Sequence, residues 1–316
     1  MSLAPCSFLI SPTISKHSFT FVGYFQDPIM EYKGTLIPVG GNEDKGMGLK
    51  ETYCLDFIKQ GILSRILKES GGATAKIVVI TTASSIPKIV GENYLKAFNS
   101  LGCQDIKILD IRKKTDAQDR SALSFLEQAD CIMFSGGDQS KIIKSIADTL
   151  SHSIIRKRLE ETQVVIAGTS AGAMSMSQQM IAGGSIVDAM QKGNVKMTMG
   201  MGFLDQLIID SHFIQRGRFG RLAEAVARFP KLLGLGLAED TGLIIRKGND
   251  CEVIGSGMVV LFDPRNLNHN RYEDLEPGTP MSLSNLTTHI LASGDRFKIR
   301  ERSLKILPME SSFSFS

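Results

Sequence analysis

Short, predominantly apolar segments alternate with amphipathic segments over the first half of the chain. The apolar segments, each predicted to be a strand, cover residues 35–39, 76–82, 105–111, 131–134 and 164–167. The amphipathic segments between them predict helices over residues 51–67, 92–101, 120–129 and 141–150. Continuously apolar strands separated by helices are typical of a parallel sheet that helices cover on both faces. We therefore predict an α/β fold with a mainly parallel sheet, in which ligands bind at the carboxyl ends of the strands.

The C-terminal part of the chain has a different pattern. Short apolar segments at residues 242–247, 251–254 and 258–262 are separated by Gly-containing turns, which predicts an antiparallel meander. We predict a single catalytic α/β domain over residues 30–308. A poorly ordered extension is expected at residues 1–29 and a loose tail at residues 309–316, because both segments lack hydrophobic periodicity.

Composition narrows the range of functions. A formal net charge of +3 and the lack of a dense basic run argue against a nucleic-acid partner. The five cysteines are scattered and form no CxxC pair, so neither a disulfide framework nor a zinc site is expected. No apolar run reaches the roughly 18 residues that span a bilayer, so we expect no membrane association and a cytoplasmic location.

The segment Gly168-Thr169-Ser170-Ala171-Gly172 directly follows the predicted strand 164–167. Its G-x-S-x-G pattern is that of a nucleophile elbow, in which glycines permit a sharp strand-to-helix turn and the serine hydroxyl is exposed above the sheet. The alternative is a Gly-rich turn with an incidental serine. The pattern therefore predicts a candidate nucleophile, Ser170, that needs a base and an acid to support it.

His212 is the best candidate for the base, because it follows the predicted strand 206–210 and so lies at a carboxyl end, as Ser170 does. Asp188 and Asp210 are both candidates for the carboxylate that orients it. Asp188 is preferred, because an orienting acid usually comes from a separate segment. The amide of Ala171 and one from Gly136-Gly137 are candidates for an oxyanion hole, although these glycines are also consistent with a plain turn.

An arginine cluster follows His212. Arg216, Arg218 and Arg221 lie within six positions, and Arg218 and Arg221 share one face if the segment is helical. Guanidinium groups form bidentate pairs with carboxylates, so the cluster predicts binding of an acidic substrate. A solvated helix start is the alternative. The carboxylates of Glu239-Asp240, or those of the loop 42–44, are candidates to receive a cationic group.

Five sequence blocks together carry a family resemblance. IPVGGNEDK (37–45), FSGGDQSK (134–141), GTSAGAM (168–174), DSHFIQRGRFGRL (210–222) and GLAEDTG (236–242) resemble, in order and spacing, the signature blocks of the cyanophycinases. These enzymes belong to a serine peptidase family that also contains the aspartyl dipeptidases, with a fold similar to that of class I glutamine amidotransferases. The resemblance implies Ser170 as nucleophile, His212 as base and Asp188 as acid. It implies oxyanion amides at Gly137 and Ala171, and substrate-binding roles for Gln139, Arg216, Arg218, Arg221 and Glu239.

The resemblance also implies a substrate. Cyanophycin has a poly-aspartate backbone with an arginine on each side-chain carboxyl, and a serine exopeptidase would release β-Asp-Arg dipeptides from it. A homodimer is implied, and no cofactor or metal is expected. An aspartyl or isoaspartyl dipeptidase and a non-catalytic peptide-binding protein on the same fold are the alternatives. An α/β-hydrolase esterase is disfavoured, because its histidine normally lies much further down the chain than the 42 residues that separate Ser170 from His212.

Overall fold

The apolar segments predicted over the first half of the chain form strands of one large sheet. The computed structural model of the protein describes residues 32–48 and 55–307, and the predicted extension (1–29) and tail (309–316) lie outside these residues. The strands described are, in chain order, β1 (Thr35–Val39), β2 (Ile77–Ile80), β3 (Ile106–Leu109), β4 (Cys131–Phe134), β5 (Val165–Thr169), β6 (Gln179–Gly183), β7 (Lys196–Met199), β8 (Leu207–Asp210), β9 (Leu233–Leu237), β10 (Thr241–Arg246), β11 (Asp250–Gly255), β12 (Val259–Asp263), β13 (Thr287–Leu291), β14 (Arg296–Lys298) and β15 (Ser303–Lys305).

Nine of the described strands make up the large sheet, in the order β15-β14-β11-β10-β1-β5-β4-β2-β3. The strands from β1 to β3 in this order run parallel. On the other side of β1, the strands β10, β11, β14 and β15 add an antiparallel half. The predicted mainly parallel sheet with antiparallel strands near the C-terminus is thus confirmed.

Helices connect the parallel strands. They are α1 (Ile62–Glu69), α2 (Pro87–Ser100), α3 (Arg120–Gln128), α4 (Gln139–Ile146), α5 (Leu150–Glu161), α6 (Ala171–Met174) and α7 (Phe219–Arg228). The helix predicted over 51–67 begins only at Ile62, and its residues 51–54 lie outside the described part of the chain. The helix predicted over 141–150 ends at Ile146, because Ala147 leaves the helical conformation with φ −58° and ψ 141°. Thr149 then caps a separate helix by accepting the His152 amide.

The core lies on both faces of the large sheet. Neighbouring residues of a strand point to opposite faces, and both members of such pairs are buried: Leu36 packs in one hydrophobic cluster and Ile37 in another. The same alternation separates Ile166 from Val165. Burial on both faces is the reason why these strands are apolar throughout. The described residues pack into one compact unit.

A second sheet brings two further segments to the same edge as β5. Four of the described strands form it, in the order β13-β12-β9-β8, with β8 and β9 parallel. The predicted meander is therefore divided, since β10 and β11 stay in the large sheet while β12 pairs with β9. The β6–β7 hairpin was not predicted. Within the described residues, no helix is long and apolar enough to cross a membrane.

Candidate active site

Ser170 lies at a strained turn between β5 and α6. Its backbone has φ 51° and ψ −108°, a region that residues with a side chain rarely adopt. A Cβ at Gly168 would lie 2.6 Å from the Gly172 carbonyl carbon, and one at Gly172 would lie 2.3 Å from the Phe134 carbonyl oxygen. The two glycines are therefore needed for steric reasons, and the predicted elbow geometry is confirmed.

Three side chains from three segments form a hydrogen-bond chain. Ser170 Oγ lies 2.9 Å from His212 Nε2, and His212 Nδ1 lies 2.6 Å from Glu239 Oε1. His212 follows β8 and Glu239 follows β9, so the parallel pairing of these two strands brings both residues beside Ser170. The arrangement matches the order of nucleophile, base and orienting acid in a serine hydrolase.

The backbone fixes the His212 ring. The His212 amide donates to the Gly40 carbonyl at 2.7 Å, and the residue has a positive φ of 47°. Gly41 contacts the imidazole so closely that a Cβ there would lie 2.4 Å from Cε1. The glycine pair after β1, Gly40-Gly41, therefore holds the imidazole next to Ser170.

Electrostatics favour a neutral imidazole. Burial lowers the pKa of His212 below its usual value of 6.5, although the hydrogen bond to Glu239 acts in the opposite direction. The positive charges of Arg216 and Arg218 add to the lowering. A neutral imidazole accepts a proton, so the environment leaves His212 ready to act as a base near neutral pH.

The structure corrects the prediction that Asp188 orients His212. Asp188 is exposed on the segment between β6 and β7, and its backbone amide donates to Ser185 Oγ at 3.3 Å. Among the described hydrogen bonds, the carboxylate on His212 Nδ1 is that of Glu239. The same contact corrects the substrate-binding prediction for Glu239. Its second oxygen, Oε2, accepts from Asn42 Nδ2 at 3.1 Å.

Two glycines face Ser170 from the end of β4. Gly136 and Gly137 line, with Ser170 and His212, a cavity of about 670 Å³. Gly137 has φ 141°, and a Cβ there would lie 2.1 Å from the Ala83 carbonyl oxygen. Ala171 is the first residue of α6, directly after the serine. The backbone N–H groups of Gly137 and Ala171 thus belong to two segments next to Ser170, which are the loop after β4 and the start of α6.

The arginine cluster divides into two kinds of residue. Arg221 Nε donates to Asp210 Oδ2 at 2.8 Å, and Arg218 Nη1 donates to Asp210 Oδ1 at 3.1 Å. All three residues are buried. Burial lowers the pKa of Arg218 to about 10, against the attraction of Asp210, so this guanidinium stays charged at neutral pH. The predicted substrate-binding role of Arg218 and Arg221 is therefore contradicted, since both side chains are buried and paired with an internal carboxylate. Arg216 is exposed and lines the cavity.

We expect Arg221→Met to destabilise the fold by about 3 kcal/mol, because it leaves part of a buried carboxylate without its partner. Urea unfolding measures this change. Arg216→Met is the matched control and should change the free energy of unfolding by less than about 0.5 kcal/mol, as an exposed substitution does. Unchanged stability of Arg221→Met together with weaker substrate binding would restore the predicted clamp.

Gln139 is not one of the residues that line the cavity. It is the first residue of α4, and its Nε2 donates to the Ile181 carbonyl at 2.9 Å. The side chain thereby connects α4 to β6. Its predicted substrate-binding role stays a prediction.

Glu43 belongs to the loop 42–44, whose carboxylates the sequence proposed as partners for a cationic group. It is 2% exposed and lines the cavity. Its Oε1 accepts from Tyr94 Oη at 2.6 Å and from Lys45 Nζ at 2.9 Å, and its Oε2 accepts from Thr169 Oγ1. Burial acts to raise the pKa of Glu43, but Lys45 and the hydroxyl donors outweigh it, so the pKa is lowered. Among the described contacts, the cation that Glu43 receives is the internal ammonium of Lys45.

Other carboxylates predicted to receive a cationic group are already engaged. Asp240 is buried and accepts from Ser256 Oγ at 2.6 Å and from the Asp44 amide at 3.2 Å. Within residues 32–48 and 55–307, no group of three or more His, Cys, Asp or Glu side chains is arranged to hold a metal ion.

The fold and the site define a class of protein. A mainly parallel sheet with an elbow serine, a histidine in hydrogen-bond contact and a supporting carboxylate is the arrangement of an α/β serine hydrolase. Residues 58–253 match the model of peptidase family S51. The chain belongs to this family, and the predicted serine peptidase is confirmed.

Relatives cover most of the chain. It is 36% identical to "Cyanophycinase" of Geminocystis herdmanii over 84% of this chain and 93% of the relative. It is 35% identical to "Cyanophycinase" of Trichormus variabilis over 86% of this chain and 88% of that protein. In fold, it is similar to the crystal structure of a peptidase from an acI-B1 Actinobacterium, with a TM-score of 0.62 and 20% identity over 85% of this chain and 98% of the other. The resemblance inferred from the five blocks is confirmed.

Proposed function

We propose that this chain is a serine exopeptidase that hydrolyses cyanophycin and releases β-Asp-Arg dipeptides. The observation that carries the proposal is the hydrogen-bond chain from Ser170 through His212 to Glu239, at a cavity in a member of peptidase family S51. Relatives named cyanophycinase, identical at 32–36% of aligned positions, support the choice of substrate.

Ser170 is the proposed nucleophile for acylation. Its Oγ attacks the carbonyl of an Asp–Asp backbone bond, and His212 Nε2 accepts the hydroxyl proton across the 2.9 Å contact. The Gly137 and Ala171 amides donate to the oxygen that becomes negative in the tetrahedral intermediate. When the C–N bond breaks, His212 returns the proton to the leaving amine.

Deacylation uses the same groups in reverse. A water molecule gives its proton to His212 and attacks the Ser170 ester, and the proton then returns to Oγ as the acid is released. Glu239 does not take part in the proton transfer itself. It holds the imidazole tautomer that carries a proton on Nδ1 and stabilises the imidazolium that forms in each step.

The exposed guanidinium of Arg216 suits a substrate that carries carboxylates. Glu43 and Glu239 are engaged by internal partners, whereas Arg216 is exposed at the cavity. Every unit of cyanophycin carries the free α-carboxylate of its arginine, and a guanidinium is a suitable partner for it. Arg216 is therefore proposed to bind substrate.

We expect the purified protein to release β-Asp-Arg from purified cyanophycin, and chromatography with mass detection identifies the product. Asp-X dipeptides serve as the comparison, since an aspartyl dipeptidase would cleave them in preference. Failure to release β-Asp-Arg, with cleavage of the dipeptides, would replace the proposed substrate by that of the alternative.

The homodimer and the cytoplasmic location stay predictions.

A further inference from the structure

Lys45 places a fixed positive charge in the cavity. Its ammonium donates to Glu43 Oε1 at 2.9 Å and to the Glu43 carbonyl at 3.2 Å. The same nitrogen lies 5.2 Å from the centroid of the Tyr94 ring. A lysine side chain is usually mobile, but these contacts hold this one in one position.

One part of the ammonium stays accessible. An ammonium has three N–H donors, and the contacts with Glu43 among the described residues use two of them. The Lys45 side chain is 24% exposed, and Lys45 lines the cavity that contains Ser170. A donor with positive charge is thus available on the substrate side, while its buried partner Glu43 is 2% exposed and not available.

We propose that Lys45 binds a carboxylate of the substrate and thereby selects chains that carry a carboxyl group close to the bond that is cleaved. This inference rests on the proposed function. Glu43 acts here as a positioning residue, because it holds Lys45 and also Thr169, the residue that precedes Ser170.

Two carboxylates of cyanophycin fit this role. One is the main-chain carboxylate of the terminal aspartate, which occurs once in each chain and would explain cleavage from an end. The other is the α-carboxylate of an arginine, which occurs in every unit. Both accept a charge-assisted hydrogen bond from an ammonium group.

The test uses short synthetic β-Asp-Arg oligomers in three forms. One has all carboxylates free, one has the terminal main-chain carboxyl as an amide, and one has the arginyl carboxyl of the terminal unit as an amide. The wild type, Lys45→Met and the control Lys96→Met are compared by kcat and KM on each form. Lys96 is an exposed residue of α2, the helix that carries Tyr94.

We expect the wild type to lose about 10- to 100-fold in kcat/KM when the bound carboxyl becomes an amide, mainly through KM. Lys45→Met should lose a similar factor on the free oligomer and should no longer distinguish it from that amide. Lys96→Met should behave as the wild type. The amide that causes the loss identifies which of the two carboxylates Lys45 binds.

Equal cleavage of all three oligomers by the wild type would overturn the inference, as would an equal loss by Lys45→Met on every form. If the wild type cleaves none of them, the proposed function fails and this inference fails with it.

Reaction of Ser170 with an uncharged sulfonyl fluoride checks that the elbow of Lys45→Met is intact. If it is not, Lys45→Gln, which keeps a donor for Glu43 without the charge, takes its place in the same comparison.

Discussion

Ser170→Ala should lower kcat on cyanophycin by about 10⁵- to 10⁶-fold, because removal of a serine nucleophile leaves only the contributions of the oxyanion donors and of binding. KM should change little, since the Oγ atom lies at the reacting bond and not among the charged groups that we propose hold the polymer. Initial rates of β-Asp-Arg release measure both quantities.

Ser175→Ala is the matched control for this variant. Ser175 directly follows α6 and is buried, but its hydroxyl donates to the Gly172 carbonyl at 2.8 Å and does not contact His212. Its activity should stay within about a few-fold of the wild type, with a modest loss of stability for one hydrogen bond. Equal rates for Ser170→Ala and the wild type would contradict the mechanism.

Glu239→Gln should lower kcat by about 10³- to 10⁴-fold, the size of effect seen when an orienting carboxylate becomes an amide. An amide can donate to Nδ1, which favours the tautomer with its proton on Nε2, and this tautomer cannot accept the proton of Ser170. Asp188→Asn is the control, and its rate should equal that of the wild type because Asp188 is exposed and outside the hydrogen-bond chain. The opposite ranking of the two variants would restore Asp188 as the acid.

The pH profile gives a second result for the same variant. Activity requires neutral His212 and is lost as the pH falls through its pKa. Burial lowers that pKa, so the acidic limb of kcat/KM in the wild type should lie below 6.5. Glu239 acts to raise the pKa, so its replacement by Gln should move the limb to still lower pH. A limb that moves to higher pH would contradict this account of His212.

The sheet and the elbow could be predicted because local sequence determines them. Buried parallel strands must be apolar on both faces, and the close packing at Gly168 and Gly172 excludes any side chain. His212 could be proposed because it follows a recognisable strand. Each of these features depends on residues that are neighbours in the chain.

The partner of His212 could not be predicted in this way. Glu239 reaches the imidazole because β9 lies beside β8 in a second sheet, and the pairing of Asp210 with Gly236 sets the register. Strand order is a property of the whole fold, and spacing along the chain does not contain it. The preference for Asp188 rested only on its lying in a separate segment from His212, a condition that Glu239 also meets.

The substrate-binding prediction for Arg218 and Arg221 was wrong for a related reason. A guanidinium binds a substrate carboxylate and an internal one with the same geometry. Only the fold shows that Asp210 is buried beneath Arg218 and Arg221 while Arg216 faces the cavity. The internal partners of Glu43 could not be predicted either, because two of its three donors, Tyr94 and Thr169, are distant from it in the chain.

The most direct test of the central claim is detection of the acyl-enzyme. The protein is mixed with a short β-Asp-Arg oligomer, quenched in acid within the first turnover and digested, and the peptide that contains Ser170 is examined by mass spectrometry. The account predicts that this peptide gains the mass of the acyl part of the oligomer, and that the gain is absent in Ser170→Ala. Rapid product release without any mass gain at Ser170, or with the gain at another residue, would contradict it.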